Sequence, residues 1–347
     1  MLTIIGYAVA TIVGLVVLLF LGHLAYHFIV GLKEGPPSAG VSEEPDLGGP
    51  AGRRAVEAFG RGDPSVLVSL LRSGDPDPID SRAFWLVALG EVLDLEQAEA
   101  WVQREPNEPL AWLVVGFACV EQAKRARGAD RAHTVSREEW KDWFAWMAEA
   151  EEAFARAIEL DPRDPTPWWG LIQTALGLPV PMAEAEARFE ELLARDPAHT
   201  FGFTQMLSYC TKKWHGSHEA MFAVVRRARE SAPDGSDLHL VPFRAHIERW
   251  LYARHFDDDV EGAERYLADP AVRAELEQAH DAFNRAPSER RATIHGRNAA
   301  AVWFYLTGDD ARLKRELERI GPRWTFPWDY IGGVTAWKKA RRRVGLR

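Results

Sequence analysis

The sequence predicts an all-α protein, because its hydrophobic residues recur at helical spacing and no segment alternates as a half-buried strand would. One pattern of small and aromatic residues followed by proline occurs twice, 35 positions apart. Its two copies are Ala150, Phe154, Ala157, Pro162 and Ala185, Phe189, Leu192, Pro197. The intervals of 4, 3 and 5 residues indicate one helical face that ends at a proline. Such a unit buries its apolar face only against neighbouring units, so we expect a stack of helices.

Prolines mark the end of each predicted helix pair, because proline lacks an amide proton and disfavours a helical residue before it. They lie at Pro106, Pro162, Pro197, Pro233 and Pro270. Their intervals of 56, 35, 36 and 37 residues indicate one repeated unit, with an insertion in the first interval that we place around residues 124–140. The predicted units span 79–106, 110–162, 167–197, 200–233 and 238–270.

Single helices are also predicted from local patterns. Apolar residues that step by 3 and 4 predict one long amphipathic helix from Ser136 to Leu160. Thr166, which precedes a proline, is predicted to be the N-cap of the following helix. Past Pro270 we expect a helix pair over 297–320 that is broken at Gly308, and a terminal helix over 328–343.

The first helices of the pairs carry a second pattern. Trp112, Val115, Gly116 and Cys119 match the W-x-x-L-G-x-x-Y spacing of first helices in tetratricopeptide repeats. With the Ala-Phe-Ala-Pro pattern, the chain resembles tetratricopeptide repeat proteins, most clearly over 110–233. The resemblance implies an irregular α-α helical-repeat solenoid over 53–347, in which the first helices line a groove that binds a peptide or protein partner.

Six groove-facing residues follow from the resemblance, position by position. They are Leu113, Phe117, Trp169, Gln173, Thr204 and Ser208. The set is mixed apolar and polar and contains no Lys or Arg, so an acidic chain terminus is not the expected ligand. The alternative is that the insertion or the C-terminal helices cover these side chains.

One short segment, Lys212 to Phe222, is similar to a stretch in bacterial repeat-containing proteins of a family without an assigned function, which implies no activity. Its His215, His218 and Glu219 are the candidates for an alternative function, an enzyme site that uses His and Glu, with or without a metal. Ser217 favours another explanation, because it is suited to cap a helix that carries Glu219 in its first turn.

The N-terminus predicts a membrane anchor. Residues 1–32 contain no charged side chain, and residues 2–31 are long enough to cross a bilayer. A cleaved signal peptide is the alternative, but the basic start and the small-residue cleavage site that it needs are missing. Because no Lys or Arg precedes the segment, we expect a single-pass protein of the cell membrane whose body is cytoplasmic. The Pro- and Gly-rich residues 33–52 are predicted to be a flexible linker.

Small residues in the anchor predict a contact between two copies. Gly6, Ala10 and Gly14 recur every four residues, which places small side chains on one helix face and would allow a homodimer. The alternative is that Gly and Ala are common in membrane helices.

Charge and cysteine content narrow the function. The chain has a net charge of −9 although its last ten residues carry six positive charges, so the rest is strongly acidic and nucleic acid is not an expected partner. Two cysteines are too few for a disulfide framework or a CxxC zinc site, and no cofactor motif is present. We therefore expect a membrane-anchored scaffold for protein–protein interaction, with no cofactor, no metal and no catalytic activity of its own.

Overall fold

The computed structural model describes residues 48–73, 78–128, 135–287, 290 and 292–346. The predicted membrane anchor, with Gly6, Ala10 and Gly14, and residues 33–47 of the predicted linker lie outside this part. Over the described ranges the chain forms sixteen α-helices, two short 3₁₀ helices and no β-strand, which confirms the all-α prediction. No helix within these ranges combines the length and the apolar composition needed to cross a membrane.

The helices follow one another through short connections. In chain order they are α1 Gly49–Gly60, α2 Ser65–Leu71, α3 Pro78–Gly90, α4 Leu95–Arg104, α5 Pro109–Arg127, α6 Arg137–Leu160, α7 Thr166–Gly177, α8 Met182–Arg195, α9 Thr200–Tyr209, α10 His218–Glu230, α11 Val241–His255, α12 Val260–Ala268, α13 Pro270–Arg285, α14 Thr293–Thr307, α15 Asp310–Ile320 and α16 Gly333–Arg343. The 3₁₀ helices are Asp237–Leu240 and Trp328–Ile331.

Alternate helices from α3 to α11, followed by α14, form a continuous row. Helix α3 contacts α5, and the contacts then run from α5 to α7, from α7 to α9, from α9 to α11 and from α11 to α14. We call these six helices the inner row. The helices between them, such as α4, α6, α8 and α10, pack against their neighbours in the row. The first helix of each predicted pair is therefore a member of this row.

Phe154 of α6 packs against the helices on both sides of it in sequence. Its side chain is fully buried and lies against two glycines, Gly116 of α5 and Gly170 of α7. A β-carbon built on Gly116 would lie 2.4 Å from the Phe154 ring, and one built on Gly170 would lie 2.5 Å from it. The ring also meets Phe117 edge to face at 5.1 Å. One aromatic side chain thus joins three successive helices.

Several predicted helix ends are confirmed. Helix α6 begins where expected, because the Ser136 hydroxyl accepts from the Glu139 backbone N–H and the Glu139 carboxylate accepts from the Ser136 N–H. The predicted break at Gly308 is also present, with a left-handed φ of 81° that favours glycine.

Other predicted ends are wrong. Helix α1 begins at Gly49, inside the predicted linker, because Pro50 fits the first helical turn, where its missing N–H costs nothing. Thr166 is the first residue of α7 and not its N-cap, since its N–H and its hydroxyl both donate to the Asp164 carboxylate, at 2.9 and 2.6 Å. The terminal helix divides at Gly332, whose φ is 116°.

The basic C-terminal helix is tied to the rest of the domain. Arg341 donates to the Gly321 carbonyl at 3.0 Å, and Arg343 pairs with Asp310 at 2.7 Å. These charges therefore help to fix α16.

Candidate binding cavity

A cavity of about 240 Å³ lies on the inner row. Every helix of the row contributes to its lining, from Val87 of α3 and Lys124 of α5 to His295 of α14. Helices in contact pack with their axes about 8–10 Å apart, so a straight row of six would place its first and last members roughly 40–50 Å apart. Because both ends of the row line one small cavity, the row curves, and the cavity is on its concave side.

An aromatic wall forms one side of the cavity. Trp169 of α7 lies between Phe117 and Phe201, at ring-centroid distances of 4.8 and 5.3 Å, and Phe201 meets His295 edge to face at 5.3 Å. Trp169, Phe201 and His295 line the cavity. The wall continues from one row helix to the next, so a ligand would contact several helices at once.

Gln173, Gln205 and His295 are uncharged polar residues of the lining whose side chains make no hydrogen bond within the described ranges. The Gln173 Nε2 atom is buried and has no acceptor among the described residues. The half-buried His295 ring makes no side-chain hydrogen bond within the described part of the chain. Burial lowers the pKa of His295 to about 4, so its imidazole is neutral at pH 7 and offers one donor and one acceptor.

Charged groups in the lining already have partners. Lys124 pairs with Glu121, and Arg244 binds the buried Glu248 through Nε at 3.0 Å and through a second nitrogen at 2.9 Å. The Asp237 carboxylate accepts the Thr293 hydroxyl at 2.8 Å.

A C-terminal segment, residues 325–331, closes one end of the cavity, and we call it the strap. Phe326 and Pro327 line the cavity, and the Arg244 guanidinium lies 3.6 Å from the centroid of the Phe326 ring. The strap is anchored by Tyr330, whose hydroxyl donates to Glu248 at 2.8 Å, and by Trp328, whose Nε1–H donates to Asn298 at 2.9 Å.

Lys213 completes the anchor of the strap. Its ammonium donates to Glu248 and to the Tyr330 hydroxyl, each at 2.6 Å. Burial lowers the pKa of Lys213, although Glu248 opposes this. Burial alone would raise the pKa of Glu248, but Arg244 and Lys213 hold it below its usual value.

The six predicted groove residues divide into two groups. Trp169, Gln173 and Thr204 line the cavity. Leu113 and Phe117 are in the hydrophobic core, and the Ser208 hydroxyl donates to the Thr204 carbonyl at 2.9 Å without lining the cavity. The position-by-position transfer assumed an open groove, whereas Phe117 packs against Phe154 of α6 and Trp169 of α7 and is covered by these adjacent helices.

Sequence reasoning missed part of the lining. Phe201 lies one turn before Thr204 on the same helix face, so the helical period could have identified it. His295, Arg244 and Phe326 belong to later segments that come close only through the curvature of the row, and no local pattern signals this.

The candidates of the second group, His215, His218 and Glu219, differ in the contacts that their side chains make. The exposed His215 stacks on Tyr209 at 4.7 Å and donates to the Leu176 carbonyl at 3.0 Å. Ser217 caps α10 by accepting from the Ala220 N–H, and Glu219 is exposed in the first turn, as predicted.

His218 lies in a different environment. Its ring packs against Tyr252 at 5.4 Å, and burial together with Arg249 and Lys212 lowers its pKa to about 4. Within the described ranges no group of three or more His, Cys, Asp or Glu side chains is placed to hold a metal ion.

The glycine of the same segment has a structural role, which leads to a prediction. A β-carbon on Gly216 would lie 2.2 Å from the Cys210 carbonyl oxygen, a backbone atom that cannot move aside alone. We expect Gly216→Ala to lower the free energy of unfolding by about 1–3 kcal/mol, measured by urea denaturation. Gly60→Ala is the control, because nothing lies within 4 Å of its new methyl group. Equal stability of the two variants would contradict the close packing.

Both cysteines, Cys119 and Cys210, are free and buried. Burial raises the pKa of Cys119 and of Cys210 to about 12, so neither is a thiolate at neutral pH.

The structure thus defines the class: an all-α protein in which a curved row of helices surrounds a small, mainly apolar cavity. Comparison with models of protein families, with curated proteins and with solved structures found no match for this chain.

Proposed function

We propose that this protein is a membrane-anchored helical-repeat scaffold that holds a polypeptide segment of a partner protein in the inner cavity, with no catalytic activity of its own. The observation that carries the proposal is the cavity itself, which has an aromatic wall and is lined by every helix of the inner row.

The size of the cavity favours a side chain over a free small molecule. Pockets that hold drug-sized ligands and cofactors have volumes of roughly 300–1000 Å³. The volume of about 240 Å³ is below that range and matches one large side chain with its backbone. The rest of the partner would extend outside the cavity, past the half-exposed Val87 and Lys124.

The remaining parts of the proposal depend on the sequence. Residues 1–32 would anchor the protein in the cell membrane, with the helical body in the cytoplasm, and Gly6, Ala10 and Gly14 would allow two copies to pair. The tetratricopeptide-like character of the body is supported by the Ala-Phe-Ala-Pro pattern and by the row that alternate helices form.

Two adjacent tryptophans allow a matched test. Trp169 lines the cavity, whereas Trp168 lies next to Arg195, 5.0 Å from its guanidinium, and does not line it. Short random peptides displayed on phage would be selected on the full-length chain in a mild detergent, and the affinity of the best binder would be measured by fluorescence anisotropy. We expect Trp169→Ala to weaken binding about thirtyfold, and Trp168→Ala by less than about twofold.

A second variant distinguishes a loss of binding from a loss of folding stability. Trp169 is almost completely buried, so its removal also removes core packing, whereas Phe201 is only half-buried. Phe201→Ala should also weaken binding while the thermal transition shifts less. The proposal is wrong if no selected peptide binds, or if the Trp168 and Trp169 variants bind equally well.

A further inference from the structure

A second aromatic cluster, outside the cavity lining, surrounds one arginine. The guanidinium of Arg127, at the C-terminal end of α5, lies over the rings of three tryptophans, which we call the tryptophan cage. Its Cζ atom is 5.5 Å from the ring centroid of Trp140, 5.7 Å from that of Trp143 and 6.0 Å from that of Trp214. None of these four residues lines the cavity. At such distances each ring attracts the positive charge.

Two segments that are distant in sequence build the cage. Trp140 and Trp143 lie one turn apart near the start of α6, and Trp214 lies between α9 and α10. Trp143 is buried, and its Nε1–H donates to the last carbonyl of α7 at 3.1 Å, which fixes this ring in place. Trp140, Trp214 and Arg127 are only half-buried, so solvent reaches the cage. The exposed Phe144 stacks on Trp140 at 5.8 Å and extends the aromatic surface.

The charge of Arg127 is held differently from that of another arginine that lies over a tryptophan. Arg195 lies over Trp168 and also pairs with Glu191 at 2.7 Å. Within the described ranges Arg127 makes no ion pair, and its side chain makes one hydrogen bond, to the Gly128 carbonyl at 3.2 Å. Its Nε atom is buried without an acceptor. The three rings are therefore the main partners of this charge, and another cation could take its place.

The contacts of Arg127 favour an internal ligand of the cage over a receptor for anions. An anion binds the N–H edge of a guanidinium, but here the Nε atom has no access to solvent and Nη1 is bound to the Gly128 carbonyl. The ring faces attract any cation, and a weakly hydrated one enters most easily because it loses little water. The net charge of −9 also attracts cations from a distance.

We infer that the tryptophan cage is a binding site for a weakly hydrated cationic side chain of a partner protein, an arginine or a methylated lysine, and that Arg127 occupies it as an internal competitor. The site lies outside the cavity lining, so this inference goes beyond the proposed function and does not depend on it.

The decisive variant is Arg127→Ala, which removes the internal cation and leaves the three rings. Choline and methylguanidinium are the probes, and their binding to the full-length protein in a mild detergent would be measured by isothermal titration calorimetry at constant ionic strength. We expect Arg127→Ala to bind one of them at least about tenfold more tightly than the wild type, and the preferred probe distinguishes a methylated lysine from an arginine. Arg125→Ala is the control. It removes a charge from the same helix end, but Arg125 binds the Glu91 carbonyl and lies over none of the three rings in the described part of the chain.

Two further comparisons test the chemistry of the cage. In the Arg127→Ala background, Trp214→Ala should weaken binding of the preferred probe about tenfold, whereas Trp168→Ala should leave it unchanged. The neutral alcohol 3,3-dimethylbutan-1-ol has the shape of choline without its charge. It should bind Arg127→Ala at least about tenfold more weakly than choline if choline is the preferred probe, because the rings attract the charge. If methylguanidinium is preferred, neutral N-methylurea takes the place of the alcohol in this comparison.

Thermal unfolding keeps the test valid if Arg127→Ala is less stable. A probe that binds the folded state should raise the thermal transition of this variant more than that of the wild type. The inference is overturned if neither probe binds, if the wild type and Arg127→Ala bind both probes equally well, or if binding is unchanged by Trp214→Ala. It is also overturned if the neutral analogue binds as tightly as the preferred cation, since the cage would then bind by shape alone.

Discussion

Replacing Phe154 with alanine is expected to lower the free energy of unfolding by about 3–5 kcal/mol. The ring is fully buried, and the cavity that it leaves cannot easily be refilled, because two of its neighbours are glycines without side chains. The loss depends on how far the surroundings collapse, and Gly116 and Gly170 have no atoms to move into the space. The variant should therefore be near the upper end of the range for phenylalanine.

Urea denaturation followed by circular dichroism measures this effect, and the same helix provides the control. Phe144 of α6 is 43% exposed, so Phe144→Ala should cost less than about 1 kcal/mol. A difference between the two variants of less than about 1 kcal/mol would show that Phe154 does not join the three helices as the structure indicates.

A double-mutant cycle tests the contact directly. Gly116→Ala should destabilise the wild type, because the new methyl group meets the Phe154 ring, but should be tolerated when residue 154 is already alanine. A coupling free energy near zero would mean that the ring and the glycine do not touch. Gly60→Ala is the control, because nothing lies within 4 Å of its new methyl group and its φ is not positive. Gly49→Ala is unsuitable, because the φ of Gly49 is positive and an alanine there would be strained.

The packing at Phe154 also shows why the helices were predictable. The spacing of Ala150, Phe154 and Ala157 indicates one buried helix face. Gly116 is the glycine of the W-x-x-L-G-x-x-Y pattern in the preceding first helix. Each of these signals arises from contacts between neighbouring helices, which are close in sequence. Helix order, the start of α6 at Ser136 and the cap at Ser217 are local in the same sense, and the structure confirms them.

The cavity was only partly predictable because its walls come from distant segments. Trp169, Gln173 and Thr204 are implied by the tetratricopeptide resemblance, position by position, and they line the cavity. His295 and Phe326 reach the cavity because the row curves, and the curvature results from many small packing choices that no single motif encodes. Phe117 is buried instead against Phe154 and Trp169 of the next two helices.

The strap that closes the cavity leads to the second large effect. Glu248→Ala should lower the free energy of unfolding by about 3–5 kcal/mol, because it leaves the charges of Lys213 and Arg244 without their partner. The Glu248 side chain is only 2% exposed, so water does not replace the lost carboxylate. Tyr330 loses its acceptor in the same variant, so the strap should loosen.

An exposed ion pair is the control for Glu248. Glu191 pairs with Arg195 at 2.7 Å, but its side chain is 52% exposed, so Glu191→Ala should cost at most about 1 kcal/mol. The double variant Glu248→Leu, Lys213→Met removes one carboxylate and one cation together. It should be more stable than Glu248→Ala, since fewer charges remain buried without a partner. A double variant that is less stable would contradict this explanation.

The pH dependence distinguishes the lost ion pairs from lost packing. Arg244 and Lys213 lower the pKa of Glu248 in the folded protein below its usual value of 4.5, so its contribution to stability is fully present above that pH. As the pH falls below 4.5 towards the folded-state pKa, the carboxylate is protonated and the contribution disappears. The stability difference between the wild type and Glu248→Ala, measured by urea denaturation at several pH values, should therefore be constant from pH 7 to about 5 and shrink below it. A difference that stays constant in acid would show that the variant loses packing rather than charge pairing, and the strap would then need another anchor, such as the Trp328–Asn298 hydrogen bond.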